Sequence, residues 1–217
     1  MYLLMALVVL TTKMSIIAQA LSFFPSIRGV LYPVTPSKLL LREILKIELA
    51  VTLVQLTFYI TLLRRMDVDK MAKTRYYDWF ITTPTMLFSM AAYFTYVKEP
   101  TTTLPAIIRK HKTALVIMFI ANFVMLLTGY MAEVGLMERQ TSLVIGFAAF
   151  AVVFWTLRQE FVSEESKGVF NMLTTIWGLY GVAFMLPTAE KNIMYNGLDI
   201  ISKNFFAIFL SYKLSSS

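Results

Sequence analysis

Long apolar runs separated by short polar stretches dominate the chain. They fall at about residues 2–22, 39–63, 75–97, 106–131, 141–162, 168–187 and 193–213, and each is long enough, at roughly 20 residues, to cross a hydrocarbon core as a helix. In lipid a helix satisfies every backbone N–H and C=O within its own segment, so apolar runs of this length read as spanning helices. The pattern predicts an all-α membrane protein, one domain over residues 1–217 built as a bundle of seven transmembrane helices. The first run contains Ala18-Gln19-Ala20, similar to a signal-peptidase site, but no basic segment precedes it and Lys13 interrupts it; it reads as the first helix. Between the first two runs, Pro25, Pro33 and Pro36 are expected to break the chain while Phe23, Phe24, Val30, Leu31 and Tyr32 keep it apolar. A segment lying on the membrane surface and an ordinary loop both fit that composition. The terminal Ser-Ser-Ser at 215–217 reads as a disordered end.

Composition agrees with the pattern. A hydrophobic content of 58%, only 15% charged residues and a mean hydropathy of +0.66 lie outside the soluble range. Sharing 217 residues among seven spans leaves about 31 per unit, which excludes a sizeable soluble domain. The absence of cysteine removes disulfides and thiolate nucleophiles, and a single histidine, His111, leaves no His-rich metal site. Nothing points to an enzyme. The net charge of +7 belongs to the loops, so nucleic acid is a poor partner for it. Counting loops alternately, one side holds Arg28, Lys38, Arg42, Lys98, Arg109, Lys110, Lys112, Arg158, Lys167 and Lys213, and the other Arg64, Arg65, Lys70, Lys73, Arg139 and Lys191. That bias of 10 to 6 predicts a cytoplasmic C-terminus and, with seven spans, an outside N-terminus.

Charges inside the spans are more informative, because each costs roughly 2.5–3.5 kcal/mol near the bilayer centre. Lys203 sits at the middle of the seventh run with Asp199 four residues earlier, one helical turn away. In the third run Arg75 and Asp78 open a stripe continued by Thr82 and Ser89, all on one helical face. A purely structural ion pair is one reading of this set. It does not account for the choice of lysine: an amine in an apolar pocket is pushed towards its neutral, nucleophilic form, the condition for a Schiff base with an aldehyde. Trp79, Trp177, Tyr180 and Phe184 surround these charges, the last three on one face of the sixth helix, where they could line a slot for a flat polyene. Without the lysine, such a stripe would read as helix packing.

The motifs Arg75-Tyr-Tyr-Asp78-Trp79-Phe-Ile-Thr82-Thr83-Pro84, Trp177-x-x-Tyr180 and Asp199-x-x-x-Lys203 together resemble a microbial (type 1) rhodopsin over all seven helices. The Asp78, Thr82, Ser89 combination is similar to that of rhodopsins encoded by large viruses of algae and other protists. The resemblance implies all-trans retinal covalently attached to Lys203, with Asp78 as principal counterion and proton acceptor and Asp199 as second counterion. It further implies that Arg75 stabilises both carboxylates from the extracellular side and that Thr82 hydrogen-bonds Asp78. Trp79 and Trp177 would sandwich the polyene and Tyr180 would position Asp199. Thr83 and Phe184 would join the pocket, as would Met125 and Gly129, with Asn122 and Gly146 nearby; for these last four, ordinary packing is the competing reading. Ser89 stands where efficient proton pumps carry a carboxylate that reprotonates the Schiff base. Lys191 stands where a glutamate of the usual release pair is expected, with only Glu190 beside it.

The second helix adds a polar face, Glu48, Thr52, Gln55 and Tyr59, with Glu43 just over one turn earlier. It is similar to the glutamate-bearing second helix of light-gated cation channels and could hold water and cations. A structural account pairs Glu43 with Lys46 and Glu48 with Lys13. The leading expectation is a light-activated ion transporter moving protons outward from the Schiff base to Asp78. A light-gated channel for monovalent or divalent cations is the alternative, and a sensory photoreceptor the third. The expected setting is the lipid bilayer, as a multi-pass protein and possible homo-oligomer, in a membrane of the infected host cell if the chain is virus-encoded.

Overall fold

The computed structural model describes residues 2–215, and among these all regular structure is helical, with no strand. Its helices are α1 (Tyr2–Leu31), α2 (Leu39–Arg65), α3 (Val68–Lys98), α4 (Leu104–Lys110), α5 (Lys112–Glu133), α6 (Arg139–Glu160), α7 (Lys167–Phe184), α8 (Thr188–Asp199) and α9 (Phe205–Ser215). The segments α4 and α5 follow one another across His111, and a π-helical turn, Ile200–Asn204, joins α8 to α9. The nine segments thus compose a seven-helix bundle. We call its two ends the N-terminal face, where α1 begins, and the C-terminal face, where α9 ends. By length and apolar composition alone, four stretches suffice to cross a membrane: Tyr2–Leu31, Pro36–Arg65, Lys112–Glu133 and Arg139–Glu160. Helix α3 and the α8–α9 rod carry the intramembrane charges at their middles.

Helix α1 shows how the bundle packs. Its buried positions are Val8, Thr12, Ser15, Gln19, Ser22, Ser26 and Gly29, a 3/4-spaced stripe of mostly small or polar residues, while Leu3, Leu10, Met14, Ile17, Leu21 and Phe24 are exposed. In lipid, large apolar side chains gain nothing by turning inward, whereas small residues let backbones approach. The inward hydroxyls are satisfied mainly by the preceding turn, as in Thr12 to the Val8 carbonyl (2.7 Å) and Ser26 to the Ser22 carbonyl (2.9 Å). Ser15 reaches across to the Asn196 carbonyl at 3.2 Å. Helix α3 is the central element, buried on most of its circumference, and its N-terminus is capped by Asp67, which accepts from the Lys70 amide at 3.2 Å. The Lys70 side-chain hydrogen bond holds the Asp67 carboxyl below its usual range.

Three expectations need correction. Pro25 does not break the chain: α1 runs through it to Leu31, and the irregular segment is confined to Tyr32–Thr35 before a short 3-10 turn, Pro36–Lys38. Proline lacks the N–H that would bond the Leu21 carbonyl, and at this level Ser211 Oγ of α9 donates to the Pro25 carbonyl at 2.6 Å, tying α9 to α1. The run at 106–131 is split at His111, whose ring packs on Phe161 with centroids 4.7 Å apart. Lys191 is not a loop cation; it is buried inside the bundle in an ion pair. Ser215 closes α9, and Ser216 and Ser217 of the expected disordered tail lie outside the described residues.

Close approach of α1 to its neighbours depends on Gly29, where an added Cβ would sit 2.7 Å from Leu45 Cδ2 and 2.8 Å from Ser211 Oγ. Gly29→Val should therefore destabilise the protein by about 1–3 kcal/mol through overpacking. Gly197→Ala, with nothing within 4 Å of the new methyl, should leave the thermal midpoint unchanged or raise it. Thermal melts of the two detergent-solubilised variants check the contrast.

Candidate functional site

Five helical elements, α2, α3, α7, α8 and the π turn, meet at a buried charge cluster. Lys203 Nζ, in the π turn, donates to Asp78 Oδ2 of α3 at 2.8 Å and lies 3.6 Å from Asp199 Oδ1. Asp199 accepts from Tyr59 OH of α2 and Tyr180 OH of α7, both at 2.7 Å, and pairs with Arg75 Nη1 at 3.3 Å. Arg75 also donates to Tyr59 OH (2.8 Å), to Asn192 Oδ1 (3.4 Å) and to Asn196 Oδ1. Its guanidinium lies over the Tyr59 and Tyr195 rings. Two cations and two carboxylates, all at most 3% exposed, thus compensate one another where water cannot screen them. The carboxylates differ in one respect. Both Asp199 oxygens are occupied, whereas Asp78 Oδ1 has no hydrogen-bond partner among the described residues.

The sequence-predicted set Arg75, Asp78, Asp199, Lys203 and Tyr180 is therefore brought together, with two differences in detail. Thr82 Oγ1 donates to the Asp78 backbone carbonyl at 3.0 Å rather than to its carboxylate, the usual back-bond of a helical threonine. Tyr59, expected on an ion path, belongs to the charge cluster because its long ring carries the hydroxyl to Asp199. Asp199 and Lys203 are also separated by a π turn rather than an ordinary helical one, a widening common at functional sites that spacing alone does not reveal.

An apolar cavity, partly open to the outside, extends from Lys203 between α3, α5, α6 and α7. The expected residues Trp79, Thr83, Met125, Gly129, Gly146, Trp177, Tyr180 and Phe184 all line it. Asn122 acts from behind, its Nδ2 donating to Thr83 Oγ1 at 2.9 Å. Sequence reading missed Tyr76, Phe147, Gly181, Tyr195 and Ser202 among the lining. Gly129 and Gly181 allow the Tyr76 and Phe147 rings to occupy the space a Cβ would need. A long, flat, apolar molecule ending in an aldehyde suits this shape: aromatic and methionine walls along its length, and an amine flanked by carboxylates at its end.

The second-helix face divides. Glu48, Thr52 and Gln55 point inward and are buried, and neither the Glu48 carboxyl nor the Gln55 amide has a formed hydrogen bond among the described residues. Ser89, fully buried on α3, lies alongside the Glu48 carboxyl without closing a hydrogen bond. Lys13 is exposed, and among the described residues it forms no hydrogen bond with the Glu48 carboxyl. Glu43 is half-exposed and pairs with Lys46 at 2.7 Å, which removes it from an internal path and matches the structural account of that pair. Sequence reading also missed Glu133, at the end of α5, as the partner of Lys191. No local signal links two residues 58 positions apart.

The model of the family described as bacteriorhodopsin-like proteins matches residues 4–216. Among solved structures, the fold is similar to viral rhodopsin OLPVRII, with a TM-score of 0.87 and 23% identity over 95% of this chain and 97% of that one. It is also similar to the blue light-absorbing proteorhodopsin from Med12, with a TM-score of 0.73 and 19% identity over 95% and 96% of the two chains. Bromide-bound halorhodopsin from Halobacterium salinarum gives a TM-score of 0.72 and 18% identity over 96% and 93%. No curated protein sequence matches the chain.

Removing one member of a compensated buried pair leaves the other uncompensated. Arg75→Met should destabilise the retinal-free protein by about 3–5 kcal/mol, and Tyr59→Phe by about 1.5–3 kcal/mol through loss of a hydrogen bond to a charged group. Arg64→Met, at an exposed position, should be close to neutral. Chemical denaturation of the three variants in matched micelles checks the order.

Proposed function

Because the chain belongs to the bacteriorhodopsin-like family, we propose that this microbial rhodopsin is a light-driven proton transporter that uses all-trans retinal covalently attached to Lys203. The observation that carries the reading is Lys203 Nζ at the end of the apolar cavity, 2.8 Å from Asp78, whose other oxygen has no partner among the described residues. Retinal, when bound, supplies light absorption, isomerisation and a transferable proton at Lys203 Nζ. Asp78 then receives that proton, through the oxygen already in contact or through Oδ1. Asp199, held by Tyr59, Tyr180 and Arg75, keeps its charge in place and orients Lys203 from the opposite side. Trp79 and Trp177 supply the apolar walls that exclude water from the transfer.

Return of a proton to Lys203 Nζ needs a second group, since a serine hydroxyl at Ser89 does not ionise near neutral pH. Glu48, buried beside Ser89 towards the C-terminal face, is the carboxyl positioned for that role. With Lys191 buried, the basic bias in the loops becomes ten against five, which favours a cytoplasmic C-terminal face and hence outward transport. The likeness to viral rhodopsin OLPVRII supports a virus-encoded origin, for which the setting is a membrane of the infected host cell.

A second reading rests on the unpartnered inward groups Glu48 and Gln55, which could hydrate into a cation path when the protein is illuminated. Direction of current separates the two. A transporter yields outward current at zero voltage in symmetric solutions. A channel yields none, and its reversal potential follows the cation gradients.

Lys203→Ala should form no visible-absorbing pigment with retinal, and a coloured variant would place the attachment elsewhere. Asp78→Asn should shift absorption to the red, because a negative charge beside Nζ stabilises the localised ground-state cation more than the excited state, and should lower outward current about 100-fold. Glu48→Gln should leave the colour unchanged and slow the recovery step about tenfold or more, with a rate that becomes dependent on bulk pH. Flash photolysis across a pH series measures this; recovery as fast as in the native protein would remove Glu48 from the proton route.

A further inference from the structure

A second buried ion pair lies outside the machinery described so far. Lys191 Nζ of α8 contacts Glu133 Oε1 at the end of α5 at 2.5 Å, with side-chain exposures of 1% and 8%. Lys191 Nζ also stands over the Phe184 ring of α7 at 5.5 Å, and the Arg139 guanidinium, from the start of α6, lies over the same ring at 5.6 Å. Each of the four contributing helices places a cavity-lining residue close to this cluster. Gly129 is one turn from Glu133 on α5, Ser142 three residues from Arg139 on α6, and Tyr195 one turn from Lys191 on α8; Phe184 itself lines the cavity. The cluster therefore spans the N-terminal end of the cavity and ties together the ends of the helices around it.

We propose that Glu133 and Lys191, seated on Phe184, form an ionic latch that closes the N-terminal end of the cavity and sets how fast small polar molecules reach Lys203. The chemistry follows from burial. Either charge alone would be uncompensated in a dry site, so breaking the pair favours conformations in which the helix ends part and water reaches the remaining charge. Phe184 completes the seal, since an apolar ring below a desolvated ammonium leaves no polar group for water to bridge inward. Closure at this end keeps water away from the bond between Lys203 and an aldehyde, which water would otherwise hydrolyse. In this last respect the inference rests on the cavity being the retinal site; the latch itself does not.

The chain has no cysteine, so Ser142→Cys introduces a single reporter at a cavity-lining position that is 2% exposed. In the retinal-free protein, labelling of this cysteine by a charged, membrane-impermeant maleimide should be slow. It should rise at least about tenfold when Glu133→Gln or Lys191→Met is added. It should fall back towards the slow rate in the exchanged pair Glu133→Lys with Lys191→Glu. Should Glu133→Gln fail to fold, Glu133→Asp, which retains the charge on a shorter arm, should still raise the rate severalfold. Unchanged labelling in the folded single variants overturns the latch, and so does a rise seen only with loss of helix content by circular dichroism. With retinal added, hydroxylamine bleaching in the dark should accelerate in the same variants while the absorption maximum holds. A native chain that forms no pigment would instead overturn the retinal reading, leaving the labelling result to decide the latch.

Discussion

Charge compensation in a dry interior is the constraint on which the rest of this structure depends. Arg75, Asp78, Asp199 and Lys203 carry two positive and two negative charges at positions almost without access to solvent. Any one alone would be prohibitively costly in lipid, and together they are tolerable only if their geometry is held closely. The bundle supplies that geometry from several directions. Helix α3 brings Arg75 and Asp78, the π turn brings Lys203, and α2 and α7 each contribute a tyrosine hydroxyl to Asp199. Asn192 and Asn196 on α8 then hold Arg75, and Asn196 Nδ2 donates onward to Thr11 Oγ1 at 2.8 Å and Thr12 Oγ1 at 3.1 Å on α1. A network begun by one lysine thus reaches most of the bundle.

The asymmetry within that network is what the proposed proton transfer rests on. Asp199 is enclosed by two tyrosines and an arginine, so it serves as a fixed charge, while Asp78 touches Lys203 and keeps one oxygen open. Two carboxylates facing one amine thereby acquire different capacities from their surroundings alone. The π turn contributes by widening the helix where Lys203 must reach the axis of the bundle. The same logic extends towards the C-terminal face, where Glu48, Gln55 and Ser89 form a second inward polar region with few protein partners. At the N-terminal face, by contrast, Glu133 and Lys191 are mutually satisfied. One end of the interior is polar and under-bonded, the other closed by an ion pair.

Much of the site was legible in the amino-acid sequence because its signals are local. A hydrophobic run long enough to span a membrane identifies itself, and a charge within such a run is conspicuous because of its cost. The spacing of Arg75, Asp78, Thr82 and Ser89 fixes a common helical face, as does that of Trp177, Tyr180 and Phe184, whatever the helix packs against. Helix period and charge cost therefore determined the number of spans, the lysine, its carboxylates and one aromatic wall of the cavity.

Tertiary structure alone decided which of these groups meet. The height of α2 against α8 delivers Tyr59 to Asp199 rather than to an ion path, and the placement of α5 against α8 turns Lys191 from a loop cation into the partner of Glu133. Pro25 stays within α1, where Ser211, distant in sequence, donates to its carbonyl, and His111 marks a break in the helix where its ring packs on Phe161. The lining contributed by Phe147 and Tyr76 depends on glycines that let rings approach from neighbouring turns and helices. Each outcome turns on the relative height and rotation of separate helices, quantities set by packing across the whole bundle and not encoded in the period of any single one.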